Sequence, residues 1–382
     1  MNKKFLPRKL VEAREFRGFT QTYLGNEIGA KKQSISFYEK AINSPTVETV
    51  LKISKALDFP MMYFYTQNEY SNINDTTEVF FRKFNSATKT QQVMAKRRLA
   101  WICYFYSLQK KHFSLPPVNI KPYNKKIWEK LTFTEIEDIA NNTRKMFGIG
   151  DGAISNVIRL LENNGAIIGS FAIANSLDAF SLWSNISGEE TPIILIDKIK
   201  ESPARLRFNV AHELGHLVLH KTVNKDDLDN KEQFKKIELQ ANYFAGAFLI
   251  PKKHVLVIPE NINIEQLMYL KRDWGVSIQA IIMRMNQLGI INNMKKESLY
   301  KRLSSIGYTK YDPVDNLIEM EEPSVLKKMF SHVLENPKEF ADIVNRITSF
   351  PVNDLLEIFS LTQEQLNNAK EKNIVISFPQ AN

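Results

Sequence analysis

The chain has 382 residues, of which 43% are hydrophobic and 24% are charged. This composition excludes a disordered, collagen-like or coiled-coil protein, and the length suits two or three domains. No apolar run approaches the roughly 18–20 residues of a membrane span, and the N-terminal residues lack the apolar stretch of a secretory signal, so we expect a cytoplasmic protein without a membrane partner. The single cysteine, Cys103, cannot form an internal disulfide and is expected to be buried as a small hydrophobic residue.

The net charge of +9 is unevenly distributed along the chain. Residues 1–65 contribute +5 and residues 81–130 contribute +11, whereas the remainder is acidic. A basic first third on a slightly acidic body indicates a polyanionic partner at one end of the molecule. Lysines that serve only solubility are the alternative reading of the same count.

Residues 1–65 are predicted to form an all-α domain of four short helices. Thr20 and Thr46 are suitable N-caps, Gly29 can end the second helix, and Asn43-Ser44-Pro45 forms a turn before the fourth. A turn of three or four residues that contains Gly29 is typical of a helix-turn-helix, which seats a recognition helix in the major groove of DNA.

The N-terminal end of the third helix carries the side chains suited to reading DNA. Lys32 and Gln33 can donate hydrogen bonds to base edges, and Lys31 can contact a phosphate. Gln21, at the N-terminus of the second helix, would also suit a phosphate. Together with Ser36, these residues form the predicted DNA-binding surface, although a helical bundle without a role in DNA binding remains the alternative.

The rest of the chain is predicted to contain three further parts. Residues 66–130 form a polar, then basic connector with a helix over Phe81–Lys111, which ends before Pro116-Pro117. Residues 131–310 form an α+β domain, and residues 311–382 form a helical region of unknown role. In the α+β domain we expect β-rich runs at Ala166–Ile173 and Ile193–Asp197 and helices at Phe133–Phe147, Asn156–Asn164, Pro203–His220 and Lys231–Phe248. In the C-terminal region we expect helices at Met320–Leu334 and Pro337–Ile347.

The strongest chemical signal is a pair of histidines, His212 and His216, with Glu213 beside the first. Histidines at positions i and i+4 lie on one face of a helix, where both can bind one metal ion. Glu213 points to the neighbouring side and can accept a proton from a nucleophilic water. A catalytic zinc needs a third protein ligand. His220 lies about 12 Å along the helix from His212, too far to converge on the same ion, so Glu238 on the next helix is the better candidate, with a solvent-exposed charge as its alternative.

About 55 residues resemble the Cro/Xre-type helix-turn-helix family, through TQTYLGNEIGAKKQSISFYEK and NSPTVETVLKISKALDFP. The resemblance implies binding to a double-stranded DNA operator as a homodimer. One departure is visible, because the family usually has a glycine shortly after the position of Glu39, where this chain has Lys40-Ala41. We therefore expect a different exit from the third helix.

Roughly residues 81–310 resemble the ImmA/IrrE family of metallopeptidases, through AHELGHLVLH, ELQANYFAGAFLIP, GDGAISNVIRLLENNGAII, DAFSLW and LKRDWGVSIQAIIMRMNQLGII. The resemblance implies a zincin-like fold that holds zinc, or manganese, through His212, His216 and Glu238, with Glu213 as the base. It implies an endopeptidase whose substrate is a repressor or antitoxin-like regulator, as in family members that act in stress responses or are encoded on mobile elements. Gln240 departs from the commoner Glu-x-Glu-Ala-Asn. A transcription factor whose metallopeptidase-like domain only senses a ligand is the alternative.

Two weaker expectations concern the surroundings of the site. Asp178–Ser181 and Ile193–Asp197 should lie near the cleft, where an exposed strand edge could bind an extended substrate. Tyr243 and His254 are candidates for stabilising the transition state, with a core tyrosine and a surface histidine as the default readings.

Overall fold

A computed structural model describes residues 4–67, 88–170, 179–197, 202–308, 313–336, 338–339, 343, 346–347 and 349–364. The fold is multidomain, as predicted, with N-terminal helices, a domain with a small sheet and many helices, and a helical C-terminal region. Within these residues, no helix has both the length and the apolar character that crossing a membrane requires.

The N-terminal domain contains the four short helices that were predicted. They are α1 (Pro7–Phe16), α2 (Gln21–Ile28), α3 (Lys32–Glu39) and α4 (Val47–Leu57). Thr20 and Thr46 cap α2 and α4 through their side chains, and Gly29 has a φ of +70° in the turn before α3. At the exit of α3, Ala41 has a φ of +58°, so an alanine adopts the left-handed conformation that glycine adopts more easily.

Helix α5 (Lys89–Lys110), in the segment predicted to be a basic connector, contacts both the N-terminal domain and the C-terminal region. Its Trp101 stacks on Phe16 of the N-terminal domain, with ring centroids 4.0 Å apart. Its Phe105 contacts Phe350 of the C-terminal region at 5.0 Å. Cys103 is buried as predicted, and burial raises the pKa of its thiol to about 12. Residues 81–87, where this helix was expected to begin, lie outside the described residues.

The α+β domain is built on a three-stranded sheet. Its elements are α6 (Phe133–Met146), α7 (Val157–Asn163), β1 (Ile167–Ser170), β2 (Ala179–Ile186), β3 (Glu189–Ile196), α8 (Pro203–Leu219), α9 (Lys225–Asp229), α10 (Lys231–Leu249), α11 (Lys252–Val255), α12 (Ile264–Trp274), α13 (Ile278–Gln287) and α14 (Asn293–Ser305). Strand β3 is central, parallel to β1 and antiparallel to β2. Among the described strands, β2, which contains Ala179–Ser181, lies at an edge of the sheet, whereas β3, which contains residues 193–196, pairs on both sides.

Helices α8 and α10 pack closely because α8 carries a glycine at the contact. A Cβ atom on Gly215 would lie 3.2 Å from the main-chain oxygen and 3.3 Å from the Cα atom of Ala241 on α10. On another side of α8, strand β2 contributes Trp183, whose indole N–H donates to the carbonyl of Leu217 at 3.1 Å. Helix α8 is thus held between β2 and α10.

The C-terminal region joins the other two parts through buried charges. Arg17 of α1 pairs with Asp354, with both guanidinium–carboxylate distances at 2.6 Å. Glu321 pairs with Arg207 of α8 and also accepts the N–H of Ile158 at 2.9 Å. The C-terminal region therefore contacts both the N-terminal domain and α8.

The described helices of this region are α15 (Val325–Glu335) and α16 (Val352–Ile358). The helix predicted from Met320 begins only at Val325, since Pro323 disfavours a helical conformation at the residue before it. The sequence patterns did not predict α16. The helix expected over Pro337–Ile347 lies largely outside the described residues.

Candidate functional site

Three side chains with metal-binding atoms converge between α8 and α10. The Nε2 atoms of His212 and His216 are 2.9 Å apart, and they lie 3.6 Å and 3.4 Å from the two carboxylate oxygens of Glu238. One ligand atom from each of the three residues lies within 4.8 Å of the others. Glu238 is 23% exposed, so the cluster is open on one side. The predicted return of α10 against α8 therefore brings these residues together.

The ring of His212 is oriented by a residue on α10. Its Nδ1 lies 2.9 Å from the side-chain oxygen of Asn242. Because an amide oxygen only accepts hydrogen bonds, Nδ1 of His212 carries the proton. The lone pair of its Nε2 then points into the cluster, the tautomer that a metal-binding histidine requires.

His220 lies beside His216, as expected for a histidine that is not a ligand. It is the residue that follows α8, and its Nδ1 lies 3.1 Å from Nδ1 of His216. On its other side, Nε2 lies 3.0 Å from the side-chain oxygen of Gln240. Burial, with a smaller contribution from His216, lowers the pKa of His220 to about 3. Its ring is therefore neutral at physiological pH.

The donor set fits a divalent metal ion. Two imidazoles and one carboxylate are ligands that zinc binds in catalytic sites, where a fourth position is left to water or substrate. Manganese could use the same ligands. The Asn242 contact also fits, since metal-binding histidines commonly donate their second ring N–H to an oxygen.

Glu213 is held on the β2 side of α8. The hydroxyl of Ser181 donates to its carboxylate at 2.7 Å and lies 3.1 Å from its main-chain oxygen. Glu213 is 4% exposed, so this contact orients a buried carboxylate. Ser181 belongs to the segment that was expected near the cleft, whereas Asp178 lies outside the described residues.

The two candidates for transition-state stabilisation have other contacts. Tyr243 is buried, and its hydroxyl interacts with Arg284 and Glu137. The ring of His254 packs against Trp274 at 4.9 Å. Tyr243 therefore matches its default reading as a core tyrosine, whereas His254 is half-buried and not the surface histidine of its default reading.

The predicted DNA-binding residues share one end of the N-terminal domain. Lys31, Lys32 and Gln33 are exposed at the start of α3, and Ser36 is half-buried one turn later. The Gln21 amide donates to the carboxylate of Glu39 at 2.7 Å, and its contact with a phosphate stays a prediction. In this conformation Gln21 supports the packing of α2 against α3.

Sequence reasoning did not assign roles to Asn242 and Gln240. Both lie on α10 within one turn of Glu238, and the spacing of four residues between Glu238 and Asn242 could have placed both on one helix face. No sequence pattern predicts the contact between Gln240 and His220, because this contact depends on where the chain leaves α8.

Two family models match the chain. Residues 10–64 match the helix-turn-helix model, and residues 173–286 match the model of the IrrE N-terminal-like domain, a peptidase family. No curated protein matches the chain. The two matches confirm both resemblances that the motifs indicated. The chain combines a helix-turn-helix domain with an IrrE-like domain.

Proposed function

We propose that the chain is a cytoplasmic DNA-binding regulator that carries a zinc-dependent endopeptidase, and that this peptidase cleaves a partner regulator. The observation that carries the proposal is the convergence of His212, His216 and Glu238, with Glu213 following His212 in the same helix. The carboxylate oxygens of Glu238 lie 3.4–3.6 Å from two histidine nitrogens, which argues against the alternative that Glu238 is only a solvent-exposed charge. These contacts support a metal site in the same domain as a carboxylate that could act as the base.

Each residue has a separate task in the proposed reaction. His212, His216 and Glu238 would hold the ion, which supplies Lewis-acid chemistry and makes water a nucleophile at neutral pH. Glu213 accepts the proton of this water and passes it to the leaving amine. Ser181 keeps the Glu213 carboxylate oriented through the hydrogen bond of 2.7 Å.

The substrate is an extended segment of another protein. Strand β2 pairs with β3 on one side, and an extended peptide could add to its other edge beside α8. A repressor or antitoxin-like regulator is the substrate that fits a chain with a helix-turn-helix domain, because cleavage of such a protein would change transcription at the bound operator.

The N-terminal domain would bind an operator as a homodimer. Lys32 and Gln33 are exposed at the start of α3, where a recognition helix contacts base edges. Lys31, also exposed, would contact a phosphate. The basic residues 81–130 would add attraction to DNA that does not depend on its sequence.

The substitution Glu213→Gln tests the peptidase directly. It keeps the shape of the side chain and its hydrogen-bonding capacity but removes the base, so bound zinc should be retained while cleavage falls by about 10²–10⁴-fold. Zinc content is measured by elemental analysis, and cleavage is measured on regulators encoded beside this chain. The exposed Glu265 provides a matched control, and Glu265→Gln should leave both unchanged.

Three results would contradict the proposal at different points. Cleavage by the Glu213→Gln variant at the wild-type rate would show that Glu213 is not the base. Equal zinc in the wild type and in a His216→Ala variant would exclude the metal site. Zinc binding without cleavage of any candidate regulator would favour a sensor domain over a peptidase.

A further inference from the structure

We propose that His220 and Gln240 are positioning residues that fix the proton of His216 on Nδ1 and so aim its Nε2 lone pair at the metal. The inference rests on the metal site of the proposed function. It assigns a role to two buried residues that are not ligands.

The orientation of the Gln240 amide is fixed by a main-chain carbonyl. Its Nε2 donates to the carbonyl oxygen of Trp128 at 2.9 Å. An amide turned the other way would place two oxygens against each other at this distance. The side-chain oxygen of Gln240 therefore faces His220, at 3.0 Å from Nε2.

The orientation of Gln240 determines the protons on both histidines. An amide oxygen only accepts, so Nε2 of His220 carries a proton. A second proton on this ring would place a charge on a side chain that is 0% exposed and lies between an amide and another imidazole, so its Nδ1 is an acceptor. The contact of 3.1 Å between the two Nδ1 atoms then requires His216 to donate from Nδ1. An imidazole that binds a metal ion carries one N–H, so a proton held on Nδ1 of His216 leaves Nε2 to the ion.

The result is a cluster that favours a cation. Asn242 places the proton of His212 on Nδ1, and His220 does the same for His216. Both Nε2 lone pairs then face each other at 2.9 Å, with the Glu238 carboxylate 3.4–3.6 Å away. Mutual repulsion of these groups is relieved when a cation lies between them.

A glutamine performs this task in a way that a glutamate could not. The Gln240 amide donates to Trp128 and accepts from His220 at the same time. An ionised carboxylate only accepts, so it would leave the Trp128 carbonyl without this donor. With Gln240 the chain of hydrogen bonds is neutral and has one direction, from His216 through His220 to Trp128.

The experiment compares two substitutions that differ in size and in hydrogen bonding. In His220→Asn, the amide oxygen occupies roughly the position of Nδ1 and can still accept from His216. In His220→Phe, the ring volume is kept but the acceptor is lost. Zinc affinity is measured by competition with a chromophoric chelator, and folding is checked by circular dichroism and thermal melting.

We expect His220→Phe to weaken zinc binding by about 10–100-fold, and His220→Asn to weaken it by less than about tenfold. A packing role predicts the opposite order, because phenylalanine fills the buried space better than asparagine. The inference would be overturned if the His220→Phe variant bound zinc more tightly than the His220→Asn variant, or if the two variants bound zinc equally well. A wild-type protein that binds no zinc would instead refute the proposed function. His254→Phe, at a histidine packed on Trp274, is the control and should leave the affinity unchanged.

A spectroscopic measurement tests the tautomers without metal. The ¹⁵N chemical shifts of histidine ring nitrogens distinguish protonated from unprotonated atoms. In the metal-free wild type we expect protonated Nδ1 in His216 and protonated Nε2 in His220. Gln240→Leu removes the acceptor of His220 while the histidines remain, so the preference for these tautomers should weaken. Protonated Nε2 in His216 of the wild type would overturn the inference.

Discussion

Substituting Gly215 by alanine should destabilise the protein, although alanine is the better helix former. In an exposed helix this change gains about 1 kcal/mol. Here the added Cβ would lie 3.2–3.3 Å from main-chain atoms of Ala241, which can move only if α10 moves. Overpacking of this kind costs about 1–3 kcal/mol, so we expect a net loss of about 0–2 kcal/mol in the free energy of unfolding.

Gly246 provides the comparison, because it lies on α10 but faces side chains of α13. A Cβ there would lie 3.3 Å from Cδ of Arg284 and 3.5 Å from the side-chain oxygen of Gln287. Side-chain atoms can shift by a few tenths of an ångström, so Gly246→Ala should be neutral or gain up to about 1 kcal/mol.

Urea unfolding followed by tryptophan fluorescence measures both variants, and chelator competition measures their zinc affinity. Gly215→Ala should also weaken zinc binding, because displacing α10 moves Glu238 away from His212 and His216. If Gly215→Ala is as stable as Gly246→Ala and binds zinc equally well, close helix contact at Gly215 does not set the site geometry.

Three further predictions concern the N-terminal domain and its contacts. Arg17→Ala should lower the free energy of unfolding, measured in urea, by about 2–3 kcal/mol. This is less than the roughly 3–5 kcal/mol lost when a fully buried pair is broken, because Arg17 is 19% exposed. Adding Asp354→Asn should recover part of the loss. Ala41→Gly should raise the free energy of unfolding by about 0.5–1 kcal/mol, because glycine adopts the left-handed backbone conformation of residue 41 without the strain that alanine has there. An unchanged melting temperature would contradict this prediction. In binding assays over a salt series, Gln33→Ala should relax base preference by about 1–3 kcal/mol at one position of each half-site, whereas Lys31→Ala should weaken binding to all duplexes and lower the salt slope by about one. Equal binding of specific and scrambled duplexes by the wild type would refute operator recognition.

The local sequence was sufficient to predict most of the described helices and to single out the two histidines of the candidate metal site. Thr20 and Thr46 identified helix starts because a cap acts on the N–H groups of the next turn. His212 and His216 indicated a metal site because their spacing places both rings on one helix face. Such features depend on residues within one or two turns of each other, so they can be read before the fold is known.

The tertiary structure alone decided how those parts are connected. The pairing of Arg17 with Asp354 joins residues far apart in the chain, and nothing near either residue predicts it. The contact between His220 and Gln240 similarly depends on how α10 packs against the end of α8. A buried polar side chain must find its partner wherever packing places one, since leaving it unsatisfied is costly. The choice among distant partners is therefore made by the packing of the helices and not by the sequence around either residue.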